Sequence, residues 1–260
     1  MKTRHEVNAK HRADRSVVSR TEAVMSLAGE DNALLQRSIL RYLSDRSPRV
    51  RSAALDVVRE QKLLDADRSV LTLLADKSGI VRQAAAECLG VLYEGKAIEA
   101  LWLYPLLKDP TAIVRVEAVE SLAHIGDRAA LSLIAGCLED ADPLVRAYAA
   151  RSIAELQGQE FTAAIQRASQ TETDENAKVG FADALLGLGD ESQFSVLVGL
   201  LSSADYRVRT AAANALSVAD LSVAQLRSAL EAVSYAAQHA LAVADRSTME
   251  RVEQELREQL

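Results

Sequence analysis

At 260 residues, 49% hydrophobic and 26% charged, the chain is long enough for two compact domains and apolar enough to bury a sizeable core. Its formal net charge of −7 argues against nucleic acid as the main partner, and no apolar run approaches membrane-spanning length. Cys88 and Cys137 lie in different segments without C-x-x-C spacing, which argues against metal or redox use and for two buried thiols.

In chain order, residues 1–13 read as a basic N-terminal arm. Residues 1–20 hold six basic side chains against two acidic ones, a net of +4, which leaves −11 for the rest. The arm is expected to be a solvated or docked end rather than a phosphate clamp. Its start, "MKTRHEVNAKHR", lacks the apolar segment of a secretory signal, so a cytoplasmic location is expected.

From residue 14 one pattern recurs. Arg20, Arg51, Arg82, Arg115, Arg146, Lys178 and Arg209 follow one another at a nearly constant spacing, a period that means stacked repeats. Three positions after these markers stand Ala23, Ala54, Ala85, Ala118, Ala149, Phe181 and Ala212, and seven after come Leu27, Val58, Leu89, Leu122, Ile153, Leu185 and Leu216. The residue before the marker is Val in five copies, with Ser19 and Ala177 the exceptions. These offsets share one helix face, where small residues admit a neighbouring helix and aliphatic ones supply buried area. Six positions before the markers stand Asp14, Asp45, Asp76, Asp109, Asp140, Glu172 and Ser203, ahead of each helix, with Pro48, Pro110 and Pro143 near its first turn. The acid and arginine columns read as structural, the arginine reaching a carboxylate in its own or an adjacent unit. Arg115→Ala is thus expected to leave Asp109 without its partner.

Upstream of each marker helix lies another apolar-periodic segment, at 32–43, 68–75, 97–107, 128–138, 160–169 and 192–201, so each unit is a helical hairpin. No Asn-Gly or Asp-Gly turn joins alternating runs, and strand signals are missing. The fifth unit, with Gly180, Gly187 and Gly189 in or near its helix, is expected to be the softest, with a bend or hinge around residues 170–190. The chain should close on an amphipathic helix over 246–260, with Ser247 and Glu250 in a capping-box pattern and Met249, Val252, Leu256 and Leu260 on one stripe.

The pattern D-x-x-x-x-V-R-x-x-A-x-x-x-L, read at 45–58, 76–89, 109–122 and 140–153 with Val or Ile allowed at the last position, resembles HEAT repeats. More narrowly, it is similar to the short bacterial HEAT-like repeats named after phycobiliprotein bilin lyases. The resemblance covers about residues 14–245 and implies an all-α fold: a right-handed α-solenoid, or superhelix, of about seven HEAT-like helical hairpins. It is specific for fold and poor for function, because the family includes scaffolds, lyase subunits, hydroxylases and relatives that grip DNA.

Apparatus for chemistry is missing from the sequence. Of the histidines His5, His11, His124 and His239, only the last two lie in repeats, far apart in register, and the one His-Glu pair, His5-Glu6, is in the arm rather than in a repeat as in the hydroxylases. No G-x-S-x-G or phosphate-binding G-x-x-x-x-G-K-[ST] occurs. No catalytic residue, metal or cofactor is expected. Trp102 reads as packing.

In the family the second helices line the concave side, so their exposed positions are the candidates for binding. Asp56, Glu87, Glu120, Arg151 and Asp183 occupy one column, with Glu117 and Tyr148 three positions before the adjacent members. The expectation is a non-catalytic protein-interaction scaffold that binds another protein through an acidic concave face suited to a basic partner, with Tyr148 and Arg151 at its centre. The alternatives are an immunity protein of a toxin system and a bilin lyase or isomerase subunit.

Overall fold

A computed structural model describes residues 17–29, 32–95, 101–240 and 243–260; the basic arm of residues 1–13 lies outside them. The described residues are helical, without a strand, and no helix among them is long and apolar enough to cross a membrane. The chain packs as two compact units, Met1–Asp127 and Arg128–Leu260.

The first unit contains α1 (17–26), α2 (Asn32–Leu43), α3 (Pro48–Glu60), α4 (Asp67–Leu73), α5 (Gly79–Leu92), a 3₁₀ turn at Tyr104–Lys108 and α6 (Ala112–Ile125). The second contains α7 (Leu131–Gly136), α8 (Pro143–Glu155), α9 (Thr162–Thr171), α10 (Glu175–Gly187), α11 (Gln193–Leu200), α12 (Tyr206–Val218), α13 (Val223–His239) and α14 (Val243–Glu258). Helices pair as hairpins, α2 with α3, α4 with α5, α7 with α8, and so to α13 with α14. Second helices stack side by side, α3 on α5 on α6 in one unit and α8 on α10 on α12 in the other.

The repeat columns form the core. Ala54, Ala85, Ala118, Ala149 and Ala212 are completely buried, as are Val58, Leu89, Leu122, Ile153 and Leu216 one turn on. Phe181 fills the alanine position of the fifth repeat and is itself buried. Gly180 beside it has a reason other than softness: a Cβ there would lie 2.7 Å from the Ala147 Cβ and 2.9 Å from its Cα. Glycine lets α10 approach the backbone of α8 closely. Gly126 ends α6 in the left-handed region, at φ +81°, where its N–H satisfies the Leu122 and Ala123 carbonyls.

The arginine and acid columns build a ladder into the adjacent unit, one of the two directions the sequence leaves open, and the expected Arg115–Asp109 pairing is one rung off. Arg51, Arg82, Arg146 and Arg209 each turn the carboxylate contact forward to the next repeat and the backbone contact to their own. Arg82 donates from Nε and Nη2 to Asp109 at 2.6 and 2.8 Å and from Nη1 to the Asp76 carbonyl at 2.8 Å. Arg20 meets Asp45 and Arg51 meets Asp76 in the same sense, and in the second unit Arg146 holds Glu172 at 2.7 and 2.9 Å. Arg115 donates to the Asp109 backbone carbonyl at 2.7 Å, so the side-chain partner of Asp109 is Arg82, not Arg115. The acid also accepts the N–H two residues on, Ser47 from Asp45, Ser78 from Asp76 and Thr111 from Asp109, thereby fixing the N-cap residue of the helix. Lys178 and Ser203, which depart from their columns, fall on one rung, and Ser203 bonds instead to Glu175.

The last rung is Arg209 to Asp245, with Asp245 fully buried. Asp245 lies inside α14, so it has no loop N–H two residues on to accept, and its Oδ1 has no partner among the described residues. Arg246 repeats the marker's backbone contact, donating to the Ala240 carbonyl at 3.0 Å. The closing helix is therefore the second helix of a full hairpin. It begins at Val243, not 246, which puts Ser247 inside it and removes the expected Ser247–Glu250 capping box. The capping box present is Ser222 with Gln225, at the start of α13. Met249, Val252 and Leu256 are fully buried as the stripe requires, while Leu260 is half exposed.

Candidate interaction surface

The exposed face of the second helices carries the candidate residues, and it differs between the units. On α3, α5 and α6 it is a carboxylate cluster. Asp56 and Glu87 flank Arg59, which lies 3.7 Å from one and 3.1 Å from the other. Glu117 and Glu120 follow on α6. Burial pushes the Glu117 carboxyl up to about 7, helped by the charges of Glu87 and Glu120 and opposed by hydrogen bonds from Gln83 and Ser121. Burial also raises Asp56 against the pull of Arg59. Sequence reasoning missed Arg59. Its i,i+3 spacing to Asp56 was readable, but its bond to Glu87 crosses from α3 to the second helix of the next repeat.

On α8 and α10, Tyr148, Arg151 and Asp183 come together. Arg151 Nε lies 3.0 Å from Asp183, and its guanidinium sits over the Tyr148 ring at 5.5 Å from the centroid. Burial raises the Asp183 pKa even with Arg151 beside it. Here the expected acidic row becomes an ion pair. Beside it, α8, α10 and α12 enclose a groove of about 380 Å³, floored by Ala147, Gly180, Ala211 and Ala215 and walled by Leu144, Asn176 and Val218. Arg251 on α14 reaches its far wall and donates to Asn214 at 2.6 Å.

Other expectations fall differently. Trp102 is 58% exposed rather than packed, as is Leu101 beside it. Cys88 and Cys137 are free and buried, and burial pushes the Cys88 thiol up to about 12. Among the described residues no group of three His, Cys, Asp or Glu side chains is placed to hold a metal ion.

Stacked helical hairpins joined by an arginine–carboxylate ladder define an α-solenoid. Family models describing HEAT repeats match residues 100–185 and 68–95, and one describing a HEAT repeat associated with sister chromatid cohesion matches 30–58. The chain is a HEAT-repeat protein. Among solved structures it is similar to a chain of the complex of CpcE and CpcF of phycocyanin lyase from Nostoc sp. PCC7120. The TM-score is 0.58 at 17% identity, covering 84% of this chain and 93% of that one. The protein YIBA_ECOLI matches with a TM-score of 0.54 at 19% identity, covering 91% and 96%. Kap95p, in a complex with RanGDP, matches with 0.55 at 12% identity, covering 91% of this chain and 39% of its own. No curated protein matches the chain significantly.

Proposed function

We propose that the chain is a non-catalytic binding scaffold of the cytoplasm, and that the second-helix face of its first unit receives a basic region of a partner protein. HEAT repeats in general mediate protein interactions, and two of the similar structures, CpcE with CpcF and Kap95p with RanGDP, are assemblies. The observation that carries the reading is the gathering of Asp56, Glu87, Glu117 and Glu120 on three adjacent helices, with Arg59 paired to the first two. Such a potential speeds encounter with a cationic surface and weakens as salt screens it. The test is affinity capture from native extract, with mass spectrometry, by the wild type and by a variant carrying Asp56→Lys, Glu87→Lys and Glu120→Lys. A basic protein captured by the wild type and lost by the folded variant supports the reading; capture unchanged by the reversal refutes it. A basic nuclease toxin as the captured protein would identify an immunity role.

The likeness to a phycocyanin lyase chain favours one second reading, a bilin lyase or isomerase subunit. That reading needs a heterodimeric partner and a tetrapyrrole, and an absorption shift on mixing the protein with bilin would support it over the scaffold.

A further inference from the structure

In the second unit the charges of the second-helix face are balanced in pairs, and the exposures within those pairs show which member a ligand meets. In the first unit the carboxylates outnumber the arginine and stand further out: the side chains of Asp56 and Glu87 are 40% and 39% exposed against 30% for Arg59. In the second unit the pairs on this face have the arginine outermost. Arg151 is 51% exposed over Asp183 at 22%, Arg207 72% over Asp205 at 38%, and Arg251 52% over Glu255 at 38%. At Arg151 a ligand approaching α8 and α10 meets guanidinium first. The Asp183 carboxylate lies behind, where it fixes the Arg151 guanidinium rather than attracts cations.

Arg151 lines a groove, and Arg251 reaches it through Asn214. Gly180, glycine because of Ala147, leaves the centre of α10 without a side chain, and Ala211 and Ala215 keep the α12 side low. Leu144 and Val218 stand exposed at its edges. A volume of about 380 Å³ is at the lower end for small-ligand pockets, which run from about 300 to 1,000 Å³, and suits an aliphatic side chain or two from a docked segment. Arg151 and Tyr148 are residue types that anchor interfaces when set beside such a pocket.

We propose that this groove binds an acidic segment of a partner protein, placing an aliphatic side chain over Gly180 and a neighbouring carboxylate on Arg151. The proposal rests on the reading of the chain as a binding scaffold but concerns a separate surface of opposite charge preference. Arg151 keeps Nε on Asp183 and offers its solvent-facing edge to the incoming carboxylate, and Asn176 and Asn214 line the walls with amide groups able to meet a peptide backbone.

The test uses the full chain, labelled with ¹⁵N, and two acetylated peptides of equal length, one of Glu and Leu and the other of Lys and Leu. Each is titrated to about 1 mM while amide shifts are followed, which detects even the weakest specific complexes. The Glu-Leu peptide should shift amides of α8, α10 and α12 and bind at least about tenfold more tightly than the Lys-Leu peptide at those positions. Asn176→Trp, which fills the groove from an exposed position, and Arg151→Glu should each weaken it by about tenfold or more. Asn176→Trp should do so with an unchanged melting temperature, which keeps the test valid if Arg151→Glu unfolds. Equal binding to wild type and Asn176→Trp, preference of the groove for the Lys-Leu peptide, or no shift with either peptide would overturn the proposal. The Lys-Leu peptide separates the two readings: shifts confined to α3, α5 and α6 with none in the groove would leave the acidic surface standing and the groove refuted.

Discussion

Asp109→Ala is predicted to cost about 3 kcal/mol of stability, because of what the ladder leaves behind. Asp109 accepts from Arg82 Nε and Nη2 and from the Thr111 N–H at 2.9 Å. Removing it strips a guanidinium only 13% exposed of two charge-assisted bonds, while a bond to the Asp76 carbonyl and a long one to the Thr111 hydroxyl remain. It also frees the N–H that fixes the start of α6. Exposed ion pairs contribute about 0 to 1 kcal/mol and breaking fully buried ones costs about 3 to 5, so a pair this enclosed belongs near the lower end of the second range. Burial works against the Asp109 charge, but the bonds from Arg82 and Thr111 outweigh it and hold the carboxyl below its ordinary value. A depressed folded-state pKa means that the contribution is present above the unfolded pKa of about 4 and is lost as pH falls through the folded value. Urea unfolding followed by far-UV circular dichroism should therefore show the full loss near neutral pH and a shrinking one in acid. Arg207→Ala, which removes an exposed pair, is the control and should change stability by less than about 0.5 kcal/mol. If Asp109→Ala loses no more than the control, or loses as much in acid as at neutral pH, the ladder is ornament and the reasoning fails.

Glu117→Gln should stabilise the chain at about pH 8 by about 1 to 2 kcal/mol and matter little at about pH 5. The wild-type carboxyl, raised to about 7, binds a proton in the folded state that the unfolded chain has released, so wild-type stability falls as pH rises from the ordinary glutamate value through 7; thermal melts at the two pH values check it, and an equal effect at both refutes it. Gly180→Ala should destabilise by about 1 to 3 kcal/mol despite alanine's better helix propensity, since the new Cβ meets the Ala147 backbone. Gly187→Ala, at the end of the same helix with nothing within 4 Å, should stabilise by up to about 1 kcal/mol. The two glycine variants having the same sign in chemical denaturation would show that packing on α8 is not what selects Gly180. Arg209→Ala should be among the most damaging ladder variants, about 3 kcal/mol or more in urea, because it strips the fully buried Asp245 of the cation that pairs with it.

Much of this was legible because a repeat writes the same environment several times. The alanine and aliphatic columns named the buried face correctly at nearly every position, since a nearly constant period with one helix face rewritten in each copy admits few other packings. The direction of the ladder was not legible. Arg82 is six residues from Asp76 and 27 from Asp109, and both lie in reach once hairpins stack. The helix geometry decides between them: the near acid's carbonyl, not its carboxylate, faces the arginine. The longer offset from each arginine to the next acid was present throughout, but nothing in one dimension ranks that spacing above six. The packing role of Gly180 was not legible for the same reason, because helix propensity is local and the Ala147 backbone that requires glycine belongs to the preceding repeat.

The candidate residues were legible as one helix face, and the pairing of their charges was not. One column gave Asp56, Glu87, Glu120, Arg151 and Asp183, which on formal charge is an acidic row with one exception. Charge as a ligand meets it depends on which member of each pair stands outermost, and that is a property of packing. Asp183 sits one turn after Gly180, on the helix that glycine lets settle against α8, and so lies recessed behind Arg151. Asp56 and Glu87 instead share a single arginine less exposed than either. The glycine expected to weaken a repeat is thus a geometric condition both for the groove and for the cation at its wall. Filling it would alter stability and recognition together, whereas Asn176→Trp would alter recognition alone.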